Sequence, residues 1–508
     1  DFFKLLIDDE ILSSIADQTN LYADQYICSN TVKPKFRVLA WKQVPHDAAE
    51  VKKFVATIIV MGLVPYHAID DYWCTSWPFQ TKCVSSIMTR NWFSLLMKFL
   101  HLNNNELYIL KGLPGHDPIF KLRPFITSFV KNCQDSFQLG KELSIDESMV
   151  SFKGRLIFKQ YAPKKPTKWG MKAFVLADSQ TGYVYNWRLY TGKYAVYYTW
   201  CISNNNTSPL TGKDDALDRD GKGLAHAVVL KLLEGTEGTE HHVYMDNWYN
   251  SPTLFEDLHR RGYDATGTVR TDRRGMPPAM KAAIKKNDMI EAHFGSLMAI
   301  KWMDKRPVCL LTTTEDNSTV AKRRKASCAG NIEEVQKPRI IDEYNQYMGG
   351  VDKGDQLASY YGFNHRSMKW WRRAFFHLID VAIVNAYILY CLQKEKEGSK
   401  ILSHKQFRVE LTQELLLEAG LKPEEFNFPA ETSHQEPTII RLTERHFITT
   451  NIEQPNGRPK QRDCVVCSER KGKGRKTTTY MCKQCTLPMC VVPCFELYHT
   501  KVDPQRYL

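Results

Sequence analysis

Three aspartates stand about a hundred residues apart at positions where a metal-dependent phosphoryl-transfer enzyme needs them: Asp146, Asp246 and Asp352. Asp146 ends the apolar run Leu143-Ser144-Ile145, Asp246 ends Val243-Tyr244-Met245, and Asp352 opens a helical segment after Gly349-Gly350-Val351. A charge at the end of an apolar strand is costly unless a cation offsets it. Three such carboxylates drawn together can hold two ions about 3.5 to 4 Å apart, one activating a water or 3′-hydroxyl and one stabilising the leaving oxygen at phosphorus. Oxygen ligands suit Mg²⁺, with Mn²⁺ or Ca²⁺ as substitutes. Asp355 shares a helix face with Asp352 and could support or share an ion. The competing reading of each Asp alone is a solvated or capping residue.

A second ligand set lies near the C-terminus. Six of the 14 cysteines fall between Cys464 and Cys494, while the others are scattered, which is a metal-site distribution rather than a disulfide framework and points to cytosol or nucleus. Cys464-x2-Cys467, Cys482-x2-Cys485, Cys490, Cys494 and His499 give seven ligands of zinc type, one short of two tetrahedral Zn²⁺ sites. So short a segment has little apolar area with which to fold unaided, and zinc would add roughly 10 to 16 kcal/mol. Spacing alone leaves open which ligands share an ion. The basic residues Arg470, Lys471, Lys473 and Arg475 lie between the two knuckles.

Cations also crowd the acidic positions. Lys153, Arg155, Lys164, Lys165 and Lys168 follow Asp146 with Phe152, Tyr161 and Trp169 among them, a composition that suits a phosphate track beside stacking surfaces. A solvated loop with ordinary core aromatics is the alternative. In Lys369-Trp370-Trp371-Arg372-Arg373 one Trp is expected in the core, leaving the other to wedge beside an unstacked base, with the two arginines as DNA contacts. Lys322-Arg323-Arg324-Lys325 reads equally as a nuclear-import patch, a DNA contact or a solvated loop. A net charge of +13 favours a polyanion, nucleic acid first and acidic membrane second, although many basic proteins bind neither.

At 508 residues the chain is expected to form three or more units. Apolar residues recur at helical spacing from Asp1 to about Thr127. Three strands follow, at Leu143–Asp146, Lys172–Asp178 and Val184–Tyr190, the last two joined as a hairpin through Gly182. Then come a helix over Ala225–Leu233, a strand over His242–Asp246, a helix over Ser251–Arg261 and a strand over Ala265–Val269. Strand, strand, strand, helix, strand, helix, strand is the layout of an RNase H-like α/β core, with a later helix bringing the last acid. The segment 271–340 reads as an inserted β-rich subdomain with strands at Leu297–Trp302 and Val308–Leu311. Ala374–Leu392 reads as a buried helix, with some helix again near Glu410–Glu418. The longest apolar stretches, Val55–Val64 and Val381–Cys391, are shorter than a bilayer crossing needs, so no membrane span is expected. Nor does the start show a secretory signal.

The blocks Leu143-Ser144-Ile145-Asp146-Glu147-Ser148-Met149 with Phe152-Lys153-Gly154-Arg155 and Tyr161-Ala162-Pro163-Lys164-Lys165-Pro166-Thr167-Lys168-Trp169-Gly170, then Val243-Tyr244-Met245-Asp246-Asn247-Trp248-Tyr249-Asn250-Ser251, then Tyr344-Asn345-Gln346-Tyr347-Met348-Gly349-Gly350-Val351-Asp352-Lys353-Gly354-Asp355-Gln356, resemble in order the catalytic blocks of piggyBac-like DNA transposases. The likeness extends to Asp71-Tyr72-Trp73, Met88-Thr89-Arg90 and the C-terminal cysteines. It implies that Asp146, Asp246 and Asp352 are the catalytic triad, holding two Mg²⁺, and that Asp355 is an additional acid. It also implies cut-and-paste transposition through hairpin intermediates at TTAA targets, with terminal inverted repeats as the double-stranded DNA partner, a homodimer and a nuclear setting. His446 matches a His that precedes the cysteines in similar tails and supplies the eighth ligand of a two-zinc cross-brace that binds the transposon end.

The expected fold is α/β multidomain, with a helical dimerisation and DNA-binding domain at 1–140 completed by 362–440. The RNase H-like core occupies 141–270 and 341–361 around an insertion at 271–340, and a zinc-binding domain spans 441–508. Two alternatives stand beside the active enzyme: a domesticated DNA-binding protein that no longer transposes, and an interaction module of the ubiquitin-ligase type built on the cysteine tail.

Overall fold

The structure is a computed structural model, and it describes residues 2–29, 41, 46–76, 79, 82–163, 165–192, 222–238, 240–325, 332–423, 446–451, 454, 457–468 and 476–501. The chain forms two compact units, Asp1–Asn427 and Phe428–Leu508. The expected boundary at 440 lies outside the described residues.

The first unit is built on a nine-stranded mixed sheet. Its strands are β1 (Glu142–Ser151), β2 (Gln160–Tyr161), β3 (Trp169–Asp178), β4 (Val184–Leu189), β5 (His242–Met245), β6 (Asp264–Thr268), β7 (Met289–Phe294), β8 (Leu297–Met303) and β9 (Pro307–Thr312). The order is β2-β3-β1-β5-β6-β9-β8-β7, with β4 also on β3. β4, β3 and β1 are antiparallel neighbours, while β1, β5 and β6 run parallel, which is the RNase H-like arrangement. β3 and β5 are largely apolar runs whose residues are almost all buried, as expected of strands covered on both faces.

The segment 271–340 is rich in strand, but only part of it stands apart. β9 pairs with β6 and carries β8 and β7 with it, so these three strands continue the core sheet, and only the hairpin β10 (Thr319–Lys325) with β11 (Ile332–Pro338) stands apart as its own two-stranded sheet. The reason lies in burial: Leu297, Ala299, Cys309 and Leu311 belong to the same apolar cluster as β1 and β5. That continuity is not visible from strand signals alone.

Several helices flank the sheet. Leu224–Leu232 (α5) and Pro252–Arg260 (α6) bury Val228, Val229, Leu232, Leu254, Phe255 and Leu258 in that cluster. Ser251 caps α6, its hydroxyl accepting from Leu254 N at 3.3 Å, and Pro252 occupies the first turn, where its missing N–H is not needed. The N-terminal helices Asp9–Ser29 (α1), Ala48–Leu63 (α2), Arg90–Phe99 (α3) and Arg123–Asp135 (α4) assemble with two later ones, Trp370–Glu397 (α9) and His404–Glu418 (α10). α10 lies against α2, and Lys52 and Lys4 both pair with Glu418.

α9 has the length and composition of a membrane crossing, yet two thirds of its most apolar window is buried inside the protein, where it serves as a core helix. Asn385 on α9 grips β4 as a strand would: its amide donates to Val184 O at 2.8 Å and its carbonyl accepts from Val184 N at 2.9 Å. Arg408 on α10, fully buried, donates to Asp380 at 3.4 Å, to Tyr361 O at 3.3 Å and to His404 at 3.1 Å. Burial pushes His404 down to about 3, so its ring is neutral and can accept that bond, and it pushes Asp380 up to about 6.

Among its described residues the second unit has little apolar core. Two short ladders, β12 (Ile448–Thr450) with β15 (Tyr480–Cys482) and β13 (Arg462–Asp463) with β14 (Thr477–Thr478), surround a cluster made largely of cysteine plus Val466 and Met489. Asn451 ties the pieces together by donating to Lys460 O at 2.9 Å and Thr478 O at 2.8 Å.

Candidate active site and candidate metal centres

Asp146 lies in the middle of β1, and the parallel register that pairs Ile145 with Met245 puts Asp246, the next residue after β5, beside it. Beyond that point β5 has ended, so the edge of β1 is open and carboxylates can gather there. Asp146, Asp246 and Glu147 each bring an oxygen within 4.8 Å of the others'. The loop carrying Asp246 is pinned. Asp246 Oδ1 accepts from Trp248 N at 2.8 Å, Trp248 stacks on Phe174, and the buried Asn250 donates to Met245 O and Thr268 O at 3.1 and 2.7 Å. Burial raises both Asp146 and Asp246 above the usual carboxylate range, against the pull of Lys165 on each.

Asp352 arrives from the first turn of α8 (Gly350–Tyr360). That helix seats on β1 and the β3–β4 turn through glycines. A Cβ at Gly350 would lie 2.4 Å from Ser144 Oγ, and one at Gly354 would lie 2.8 Å from the carbonyl oxygen of Gly182, itself at φ +81° in the turn. Lys165 Nζ then donates to Asp146 Oδ2 at 3.1 Å and to Asp352 Oδ1 at 3.3 Å, so the strand-borne and helix-borne carboxylates meet on one ammonium. Asp355, on the same helix, turns to β1 instead and accepts from Ser148 Oγ at 2.7 Å, with burial pushing its carboxyl up to about 6.

Asp146 and Asp246 therefore meet directly, Asp352 is linked to Asp146 through Lys165 and Asp355 is tied to β1, and three further residues lie with them that spacing did not single out. Strand alternation assigns Glu147 to the face opposite Asp146; the open edge of β1 lets its carboxylate come round. Lys172 pairs with Glu147 at 2.5 Å and lies 4.4 Å over the Trp248 ring. Ser148, two residues on from Asp146 and on its face, holds Asp355. Strand periodicity could have found Ser148.

The basic residues divide. Lys153, Arg155 and Lys168 are exposed, and Lys165 is half-buried at the acids. Tyr161 and Trp169 stand 54 % and 46 % exposed with their rings 4.5 Å apart, forming an aromatic surface on the β2–β3 edge. Trp371 is the core residue of its pair, while Trp370 is half-buried at the start of α9, edge-on to Phe158.

Arg372 and Arg373 correct the expectation of DNA contact. Both are only 9 % exposed, with Arg372 donating to Lys98 O and Arg373 to Phe363 O, so their guanidiniums serve the helical packing. Lys164, Arg470, Lys471, Lys473 and Arg475 lie outside the described residues, as do the side chains of Arg324 and Lys325, while Lys322 pairs with Asp342.

In the second unit eight ligands sort into two sets, His446, Cys482, Cys485 and His499 in one and Cys464, Cys467, Cys490 and Cys494 in the other. Along the chain the sets interleave, which is a cross-brace. Cys482 Sγ and Cys485 Sγ each lie 3.4 Å from His446 Nδ1, and Cys485 Sγ lies 3.6 Å from His499 Nε2. Tetrahedral Zn²⁺ with bonds of about 2.0 to 2.3 Å brings ligand atoms to such separations. His499 Nδ1 donates to Phe495 O at 2.7 Å, which orients the ring so that Nε2 faces the Cys485 sulfur. Soft thiolate and imidazole donors fit zinc here, as an all-oxygen set fits Mg²⁺ at the acids.

A family model described as Transposase IS4 matches residues 1–387, and one described as DDE_Tnp_1-like zinc finger matches residues 443–500. Among curated proteins the chain is 26 % identical to human (Homo sapiens) PiggyBac transposable element-derived protein 3, over 99 % of this chain and 76 % of that one. It is 25 % identical to human PiggyBac transposable element-derived protein 2, over 76 % of this chain and 60 % of the relative. Among solved structures, a piggyBac transposase synaptic complex with hairpin DNA matches with a TM-score of 0.67 at 22 % identity, covering 96 % of this chain and 94 % of that one, a likeness of fold.

Proposed function

This chain belongs to the IS4-type transposase family, within its piggyBac-like members, and we propose that it cuts and rejoins DNA, excising an element through hairpin ends and inserting it at TTAA targets. The observation that supports this reading is that Asp246 lies beside Asp146 on an RNase H-like sheet while Asp352 is joined to Asp146 through the Lys165 ammonium. Family membership implies divalent metal use; we assign two Mg²⁺ to these aspartates, where they would supply a polarised nucleophile and charge stabilisation at phosphorus. The chain's own residues do the positioning. The β1–β5 register fixes Asp146 against Asp246, the glycine-seated helix brings Asp352, and Ser148 holds Asp355 beside them.

We assign Lys153, Arg155, Lys165 and Lys168 to phosphates, and Tyr161, Trp169 and Trp370 to unstacked bases. The tail, holding two Zn²⁺, is assigned to terminal inverted repeats, with a homodimer joining two ends in the nucleus. DNA as the partner is supported by the solved piggyBac transposase synaptic complex, which holds hairpin DNA.

The test is cleavage of candidate end sequences with Mg²⁺. Asp146→Asn, Asp246→Asn and Asp352→Asn should each lower cleavage by at least a thousandfold while DNA binding survives. Retained cleavage in any one removes that residue from the triad. A second reading, a DNA-binding protein that no longer transposes, is favoured by one observation: the human relatives are named as transposable element-derived proteins. Excision from a plasmid with matched terminal repeats separates the two.

A further inference from the structure

The acidic centre carries a cation of its own. Lys165 stands in the turn from β2 to β3, closed by Ala162 N donating to Lys168 O at 2.9 Å and Lys165 N to Ala162 O at 3.2 Å, between Pro163 and Pro166. Its backbone is thus fixed while its side chain, 28 % exposed, reaches Asp146 at 3.1 Å and Asp352 at 3.3 Å. Lys172 on the other side is different: it pairs with Glu147 and is held over two rings, 4.4 Å from the Trp248 centroid and 4.9 Å from Phe174. Lys165 has no ring beneath it among the described contacts, and its partner Asp352 is 70 % exposed, so the way out to solvent is open.

A Mg²⁺ bound to Asp146 sits about 2.1 Å from its oxygen, and with the 3.1 Å contact it comes within about 5 Å of the ammonium. Two like charges at that distance repel strongly near a protein surface. We propose that Lys165 is a displaceable counter-ion that competes with divalent cations for Asp146 and Asp352, leaves when the ion seats, and is then free for a phosphate oxygen. The proposal rests on the transposase reading in placing an ion at Asp146. It adds a positioning residue that sets how tightly that ion is held.

The test is Mn²⁺ binding to the zinc-loaded full chain, with free Mn²⁺ followed by electron spin resonance at low salt. Lys165→Met should bind Mn²⁺ about tenfold more tightly, the worth of one nearby charge screened by solvent, and Lys165→Arg no more tightly than the parent. Asp246→Asn should bind more weakly. A second readout needs no variant: Mn²⁺ should raise the rate at which an amine-acylating reagent labels Lys165 severalfold, read by peptide mass spectrometry. If Asp246→Asn weakens binding while Lys165→Met leaves it unchanged or weaker, or Mn²⁺ does not speed labelling, Lys165 has no such role although the metal reading stands. Isotherms insensitive to both substitutions remove the metal reading and this proposal together.

Discussion

The molecule presents two ligand sets built on opposite plans. In the second unit eight soft ligands lie within about fifty residues, close on themselves as two tetrads, and make up most of the core seen among its described residues. In the first unit hard carboxylates come from positions a hundred residues apart, meet at an open strand edge, and already carry lysines among them. On the proposed zinc reading, the cysteine unit would draw most of its folding free energy from its ions. The acidic centre is held by a fold that stands without it, which is what an ion that must exchange ligands with a substrate requires.

Stripping zinc should therefore produce the largest effect. Chelation removes on the order of 10 to 16 kcal/mol from the second unit, and its circular dichroism and proteolytic resistance should collapse while the melting of the first unit stays put. A tail that remains folded after chelation would erase the contrast. Next is Arg408→Ala, which should cost the first unit about 3 to 5 kcal/mol in denaturant unfolding by leaving Asp380 and Tyr361 O without their buried partner. A loss below about 1 kcal/mol would mean that the helical network is not what holds that unit.

The smallest effect is expected at Asp246→Asn. Burial raises the folded carboxyl above its unfolded value of about 3.9. Its contribution to stability is thus fully present below that unfolded value and is lost as pH rises through the folded one. Asn should abolish this slope and leave stability at pH 7 unchanged or raised by up to about 1 kcal/mol. A marked loss would make Asp246 a structural residue and narrow the difference between the two sets.

How much was legible in the sequence follows the same division. The tail was readable because its ligands are local and chemically rare, though only the fold could show that His446 and His499 share a set with Cys482 and Cys485. Asp146 and Asp246 were readable because each closes an apolar run of the sequence, although β1 continues past Asp146 to Ser151. Glu147 was not, since alternation assigns it to the other face and only the early end of β5 frees the edge it uses. Arg372 and Arg373 looked like DNA contacts because composition cannot tell a guanidinium facing phosphate from one facing a helix's carbonyls. β7 to β9 looked like a separate insertion because strand signals do not say which neighbour a strand will join.

The seating of the helix that brings Asp352 has one more implication. Its height above β1 is set by atoms that are missing, the side chains of Gly350 and Gly354, where a single methyl would press on Ser144 and on the backbone of Gly182. Such a methyl alters no charge and deletes no ligand, yet it would lift the third carboxylate away from its partners. A lineage of this protein could thus fall silent by drift at an uncharged position, every aspartate still in place, and a count of intact acids would not reveal the loss.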